Sequence, residues 1–433
     1  MMPKTLIFLI STIILLTGNL KALKLDINMD NYFSIKSLNN LKYGSRNYNL
    51  SYYNQNSYLS FTLKNIVLEK ADTFMDVSIG IRFMSINSST KTLTSPYITD
   101  IYTYYDSKNM VFYPDKSYLK IYNFPKNKTS LMIGRFPFTL SSGMVIDDNQ
   151  KGFNGIKIDL DDGLYTDNLN LFYFQPEEYK SPKTTHHLFG MNVKRSFGDG
   201  NWQIYYVNDR ANGEGENINY YFKETNKKFY GTSYYIDKEN MSYMLDVVFE
   251  GGKSINISEQ KIKHESYAYN IKTGWKMNIP VIGKTKARFN FIKSSGNNSN
   301  ISNKDKSFFS SFAKRYNAFE RYGLGEIYKA SIYDTSKTTD SFTGFNSKLS
   351  GLRVSNLGFD IDYKKGKFLV DYFNYKATQS INLSLSKFLG YEYNIKYILE
   401  MSKNLNLSIT YGVLKLKTET PTKLFSITVF SSF

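Results

Sequence analysis

The chain has 433 residues, 41% hydrophobic and 21% charged, with no cysteine. Beyond the N-terminus no stretch supplies the ~20 apolar residues that a membrane helix needs, so a polytopic helical membrane protein is excluded; the missing cysteines exclude disulfide scaffolds, thiolate metal sites and cysteine nucleophiles. Lysine and arginine number 55 against 38 acids, a formal +17, which fits either attraction to anionic solutes or lipid or an AT-rich coding sequence, where Lys, Asn, Ile and Tyr rise together.

Met1-Met2-Pro3-Lys4 is a short positive segment, and an apolar run from Thr5 to Leu16 follows it. Gly18 interrupts that run, and Leu20-Lys21-Ala22 ends on a small residue. This is the layout of a secretory signal peptide, with an apolar run too short to span a bilayer comfortably. Residues 1–22 are expected to be removed, leaving 23–433 as a single exported domain.

The rest of the chain is rich in Tyr (37) and Phe (32) and poor in Pro (9), a composition suited to extended strand. Leu59, Phe61 and Leu63 share one face. Met75, Val77, Ile79, Ile81 and Phe83 line one side of the next segment, opposite Asp76, Ser78, Gly80 and Arg82. The same alternation recurs at Ile156–Leu160, Phe189–Val193, Ala287–Phe291 and Leu405–Val413. Period-2 patterning repeated down a chain predicts an all-β protein.

A soluble sandwich would turn the apolar faces inward; a transmembrane barrel turns them to lipid and encloses water with the polar faces. Three features favour the barrel. Segments of about 10–13 residues suit a tilted membrane crossing. Tight connections such as Asp161-Asp162-Gly163, Phe197-Gly198-Asp199-Gly200, Lys364-Lys365-Gly366-Lys367 and Ser402-Lys403-Asn404 alternate with long ones at 87–115, 208–227, 251–265 and 294–347, as short periplasmic turns and long outer loops would. Aromatic pairs such as Tyr52-Tyr53, Tyr234-Tyr235 and Tyr372-Phe373 fall at strand ends, where an interfacial girdle sits. The chain also stops on a strand, with Phe425, Ile427, Val429 and Phe433 on one face. A terminal Phe433 resembles the insertion signal that barrel-assembly machinery reads. The expected fold is a transmembrane antiparallel up-and-down β-barrel of about 16–18 strands, 18 favoured, with 38–56 and 308–347 hardest to assign. A barrel of that size encloses a water-filled channel.

The segment Ile133-Gly134-Arg135-Phe136-Pro137-Phe138, continuing through Ser142-Gly143 and Asp147-Asp148 to Gly152-Phe153-Asn154-Gly155-Ile156-Lys157-Ile158-Asp159, resembles a strand–loop–strand of the alginate-export-like outer-membrane porins. Phe388-Leu389-Gly390-Tyr391-Glu392-Tyr393-Asn394-Ile395-Lys396 and Asn356-Leu357-Gly358-Phe359-Asp360-Ile361-Asp362-Tyr363 are similar to two later strands of that family. Together the matches cover about a fifth of the chain. The resemblance implies an 18-stranded barrel with a polar, often arginine-lined constriction that passes uronate polymer or small anionic solutes. It places Arg135, Lys157, Glu392 and Arg82 in the channel. Asn154, Lys157 and Asn394 depart from the residues usual in the family, which bears on the substrate rather than the fold.

By alternation the inward cations include Lys64, Arg82, Arg135, Lys157, Lys194, Lys286, Arg288 and Lys396. The inward acids include Asp76, Asp159, Asp246, Glu250, Asp360, Asp362 and Glu392. Near balance argues against a polyanion exporter and for a transverse field across a constriction, with wall-stiffening salt bridges as the alternative role for each ion. The pore-lining candidates are Arg82, Arg135, Lys157, Asp159, Lys194, Lys286, Arg288, Glu392 and Lys396. The aromatic stretch 308–347 either folds inward, with Phe312, Tyr316 and Tyr322 as constriction candidates, or packs at the rim.

No enzyme motif appears. The adjacent His186 and His187 must point to opposite faces, no nucleophile elbow is present, and the Asp pairs lack calcium-loop spacing. No cofactor, metal or nucleic acid is expected. The partners expected are outer-membrane lipid and lipopolysaccharide, the assembly machinery during biogenesis, and small polar solutes, with the protein a monomer in the bacterial outer membrane. The expected function is passive diffusion of small hydrophilic, anionic or saccharide-like solutes. The alternative is a surface adhesin or structural barrel whose basic, aromatic loops bind polyanions.

Overall fold

The computed structural model describes residues 24–43, 46–68, 72–88, 110–148, 152–162, 167–176, 185–212, 222–256, 258–280, 282–297, 303–312, 314, 316–317, 320–331, 349–380, 386–417 and 420–433. The expected signal peptide lies outside the described residues. The first half of the barrel wall consists of β1 (Lys24–Tyr43), β2 (Arg46–Val67), β3 (Phe74–Ser88), β4 (Met110–Tyr122), β5 (Thr129–Phe136), β6 (Phe153–Asp161), β7 (Asn168–Gln175), β8 (Thr185–Phe197) and β9 (Gly200–Asn212). Then come β10 (Phe222–Asp237), β11 (Met241–Asn256), β12 (Lys261–Ile279) and β13 (Gly283–Ser294). Three two-residue pieces follow, β14 (Lys304–Asp305), β15 (Tyr316–Asn317) and β16 (Glu320–Arg321). The wall resumes with β17 (Leu349–Tyr363), β18 (Gly366–Ser380), β19 (Phe388–Ser402), β20 (Leu405–Leu416) and β21 (Thr422–Ser432).

Strands β1–β13 and β17–β21 form a closed 18-stranded antiparallel barrel. Closure is made by β1 against β21, in register from Asp30↔Ser432 to Asn39↔Lys423. The ladder continues to the last residue, where Phe433 and Met29 exchange two backbone hydrogen bonds of 2.8 and 2.9 Å. No strand edge is left in the ring, as a sheet in hydrocarbon requires.

The apolar faces point outward. Leu357 is 48% exposed, Ile395 51% and Phe249 58%, values that make sense for a surface facing lipid. Connections at the end holding Lys24 and Phe433 are short, for example 198–199, 364–365 and 403–404, while 89–109, 137–152 and 295–348 at the other end are long. That asymmetry puts the termini on the periplasmic side. The expected long connection at 251–265 is mostly strand, since pairs such as Lys253↔Lys263 and Gly252↔His264 carry β11 and β12 outward. A hydrogen-bonded ladder needs no apolar side chains once it has left the bilayer, so polar strand ends read as loop.

The inward face changes character with height. On β3 it runs Asp76, Ser78, Gly80, Arg82 and then Met84 and Ile86, both at most 1% exposed. On β17 it runs Asp360, Gly358, Asn356 and then Val354 and Leu352. The apolar outer half packs on chain that has folded into the barrel. One cluster gathers Ile327, Tyr328 and Ala330 with Leu38, Leu352 and Leu414. The other gathers Leu140, Met144, Val145, Ile146 and Phe308 with Phe174, Val207 and Phe229. Burying a side chain such as Ile327 contributes about 1.5–3 kcal/mol.

Because Ile395 sits midway along β19 on the lipid face, Ile395→Arg should destabilise the refolded barrel by about 2–4 kcal/mol. Asn290→Arg, on the inward face of β13 at the edge of a recess, should cost less. Urea titrations of refolded protein in lipid vesicles, with equal losses for both variants, would contradict this assignment of faces.

Candidate functional site

Four inward carboxylates of the wall receive the folded-in chain. Asp246 on β11 accepts hydrogen bonds from Ser141 Oγ (2.7 Å), the Ser142 amide (3.0 Å) and Tyr205 Oη (2.9 Å). Glu250 accepts from the Phe309 amide (2.9 Å) and Ser266 Oγ (2.6 Å), and pairs with Lys227 at 2.8 Å. Asp209 is bonded by His186 at 2.6 Å and by Ser311 Oγ. Glu392 on β19 accepts three successive amides, from Glu326 (2.6 Å), Ile327 (2.9 Å) and Tyr328 (2.9 Å), together with Tyr375 Oη (3.1 Å). Turns of chain buried in a barrel leave amides with no strand partner, and a carboxylate that accepts several of them satisfies both sides.

The two inserted segments also bond to each other. The Phe312 amide donates to Val145 O (2.9 Å), and the Asp147 amide donates to Phe312 O (2.7 Å). On the opposite side Glu320 accepts from Lys36 (2.6 Å) and Lys329 (2.8 Å). Burial alone would raise the Glu320 carboxyl, but Lys329 and Lys36 hold it down at about 2 against an ordinary 4.5. The ion pair is therefore whole above about pH 4.5 and is lost as pH falls toward 2. Asp147 and Lys314, one on each inserted segment, interact electrostatically. Burial raises the Asp147 carboxyl and lowers the Lys314 ammonium, and Lys314 lies 4.6 Å over the Tyr322 ring.

Below these segments the periplasmic half holds two recesses. One recess of about 480 Å³ is lined by Lys120, Tyr122, Lys157, Asp159, Asn170 and Lys194. Another, of about 330 Å³, is lined by Asp237, Lys272, Lys286, Arg288, Asn290 and Asn356. Of the pore-lining candidates, Arg82 is engaged by Asp115 (2.7 Å) and Asn56 (2.9 Å). Lys157 pairs with Asp159 (2.9 Å), Arg288 with Asp360 (2.7 Å) and Asp371 (3.2 Å), and Lys396 with Glu326 (3.4 Å). Lys194 and Lys286 make no ion pair among the described residues, nor do Lys120 and Lys272, two further lysines at the recesses that lie outside the expected set. Glu392 lies beneath an inserted segment and is fully buried.

Arg135, expected in the channel, lies outside it. Ile133 pairs with Ile156 and Arg135 with Asn154, so Arg135 shares the outward face of β5, where its guanidinium bonds Asn154 Oδ1 (3.0 Å) and Pro114 O (3.4 Å). A Gly-Arg match carries no information on parity; the cross-strand register does. Phe312 does fold inward, against Phe153 and His186. Tyr322 is 45% exposed, and the side chain of Tyr316 lies outside the described residues. His187 points away from His186 and stacks on Tyr173. Ser254 Oγ lies 2.7 Å from His264 Nε2, but the acids near Nδ1 are 3.8 and 3.9 Å away and the group is buried, so no substrate reaches it.

A family model described as alginate export matches residues 114–330. No curated protein sequence matches the chain. Among solved structures, Pseudomonas aeruginosa OccK9 (OpdG) is similar with a TM-score of 0.61 at 9% identity, over 95% of this chain and 98% of that one. Acinetobacter baumannii OccAB4 gives 0.59 at 9%, over 94% and 98%. P. aeruginosa OpdK with vanillate gives 0.55 at 9%, over 94% and 98%. At such identities the likeness is one of fold.

Glu392→Ala removes the acceptor of three amides, each worth about 1–3 kcal/mol if left unsatisfied, and should free the segment at 324–328. Single-channel recordings should then show a larger, noisier conductance than wild type. The Glu320 pair with Lys36 and Lys329 should contribute no pH dependence above about pH 4.5, so Glu320→Gln should alter wild-type conductance at neutral pH and abolish only the change seen as pH falls toward 2. A Glu392→Ala channel identical to wild type would show that this carboxylate holds nothing in place.

Proposed function

The chain belongs to the alginate export family and is an outer-membrane, porin-like channel rather than an enzyme; from that premise we propose that it passes small hydrophilic anions by passive diffusion. The observation that carries the reading is an asymmetry in how the inward charges are used. Asp209, Asp246, Glu250 and Glu392 are covered by inserted chain, and Asp115, Asp360 and Asp371 are engaged by arginines. Lys120, Lys194, Lys272 and Lys286 instead border the recesses with no acid paired to them among the described residues. A count of charges on the inner face is near balance, yet a solute in the water meets mainly ammonium groups. Rings of such groups favour anions.

The inserted segments narrow the lumen, which supports small acids, sugar acids among them, over polymer. OpdK, whose fold is similar, was solved with vanillate, itself a small carboxylate. Diffusion needs only the solute gradient, and the chain offers no energy-coupling motif. Export through cleavage of residues 1–22, recognition of Phe433 during assembly, and a monomeric state belong to the same proposal.

In planar bilayers under a KCl gradient, wild-type protein should give a reversal potential on the anion-selective side. Lys194→Gln/Lys272→Gln/Lys286→Gln should move it toward cation selectivity, most at low salt. Arg135→Gln, on the lipid face, should not. An unmoved reversal potential in the triple variant would defeat the anion reading, and absence of conducting steps would defeat the channel.

A further inference from the structure

Among the described residues the outward face carries a row of cations without acid partners that no role in the lumen explains; the row Lys253, Lys263 and Lys304 differs in that Lys263 and Lys304 pair with Glu265. Lys293 on β13 is directly opposite Arg353 on β17, and Arg353 is directly opposite Lys376 on β18. Arg353 is aligned with Phe359 and Leu357 on the outward face, so the three cations form a continuous row across three adjacent strands on the lipid side. Directly opposed like charges destabilise a strand pair, and here two such pairs are consecutive. Among the described residues none of the three forms an ion pair.

Aromatic rings bracket the row. Tyr269 pairs with Lys293 at one end and Phe388 with Lys376 at the other. The Lys293 ammonium lies 5.8 and 5.9 Å from the rings of Tyr267 and Tyr269, and the Arg353 guanidinium lies 5.5 Å from Phe291. Toward the periplasm the next row on the same face is Phe291, Ser355 and Asn374, and the apolar wall follows as Phe289, Leu357 and Tyr372, then Ala287, Phe359 and Val370. The row is thus at the outer margin of the apolar band, at the barrel end away from Lys24 and Phe433, which is the outer leaflet.

We propose that Lys293, Arg353 and Lys376 bind the phosphorylated glycolipid of the outer leaflet, its sugar phosphates on the three cations and its acyl chains on the apolar wall below. Anionic phosphate removes the repulsion that the row builds in, and arginine flanked by lysines supplies forked and point-charge donors together. A free anion would meet the cations but leave the adjoining apolar surface unused, so the lipid, carrying both chemistries, is the occupant. The site is independent of what the lumen passes.

The test uses full-length mature barrel, delipidated and refolded in neutral detergent, with purified lipid A as probe and native mass spectrometry as readout. Wild type should bind lipid A, and Lys293→Gln/Arg353→Gln/Lys376→Gln should bind it weaker by on the order of a hundredfold. Each single variant should lose part of that. Lys364→Gln/Lys365→Gln/Lys403→Gln, which removes equal charge from periplasmic turns, should bind as wild type, and dephosphorylated lipid A should bind wild type poorly. Unchanged channel conductance in the outer triple variant reports that it has folded; should it fail to insert, the Arg353→Gln single variant carries the comparison. Equal lipid A binding by wild type and the outer variants, equal binding of the dephosphorylated lipid, or displacement of lipid A by millimolar inorganic phosphate would each overturn the proposal.

Discussion

Hydrocarbon offers no hydrogen bonds, and every other property of this molecule follows from that. Each amide and carbonyl in the bilayer must find its partner on a neighbouring strand, so the sheet has to close, and β1 and β21 meet in a ladder that runs to Phe433. Closure together with the two-residue repeat of a strand then divides the side chains. Residues such as Ile395 and Leu357 meet lipid, while Lys286 and Arg288 meet water.

The same demand recurs inside the barrel. Once the segments at 137–148, 303–312 and 320–331 enter the lumen, their amides are as short of partners as strand edges in lipid would be. Wall carboxylates supply the acceptors, most completely at Glu392 with its three amides. This use of acids shapes the electrostatics of the passage. Carboxylates committed to inserted chain are withdrawn from the water, and in the proposed anion channel the lysines left facing the recesses set the sign that a solute meets. Structure and selectivity thus draw on one set of charges.

Much of the fold was legible in the residue pattern because parity is a local property: Met75 to Phe83 displays it within nine residues. The terminal strand and the Gly-Phe-Asn-Gly segment pointed to the barrel type for similarly local reasons. Arg135 was misplaced because its face depends on the partner residue in β6, which no single strand encodes. Glu392 looked like any inward acid, since its amide donors come from a segment more than sixty residues earlier. A signal for the inserted chain was present in β3, where the inward face turns from Asp76, Ser78, Gly80 and Arg82 to Met84 and Ile86. Apolar residues have no reason to line water, so such a switch marks a wall covered from within. The cation row at Lys293, Arg353 and Lys376 was equally out of reach, being assembled from three strands by register alone.

The absence of native cysteine permits a direct test of the division of faces. Single cysteines placed in turn from 286 to 291 on β13, in protein reconstituted into vesicles, can be reacted with a charged, membrane-impermeant thiol reagent. Positions 286, 288 and 290 should label rapidly and 287, 289 and 291 hardly at all. Uniform labelling along the strand, or labelling with the opposite parity, would contradict a barrel that holds water within and lipid without.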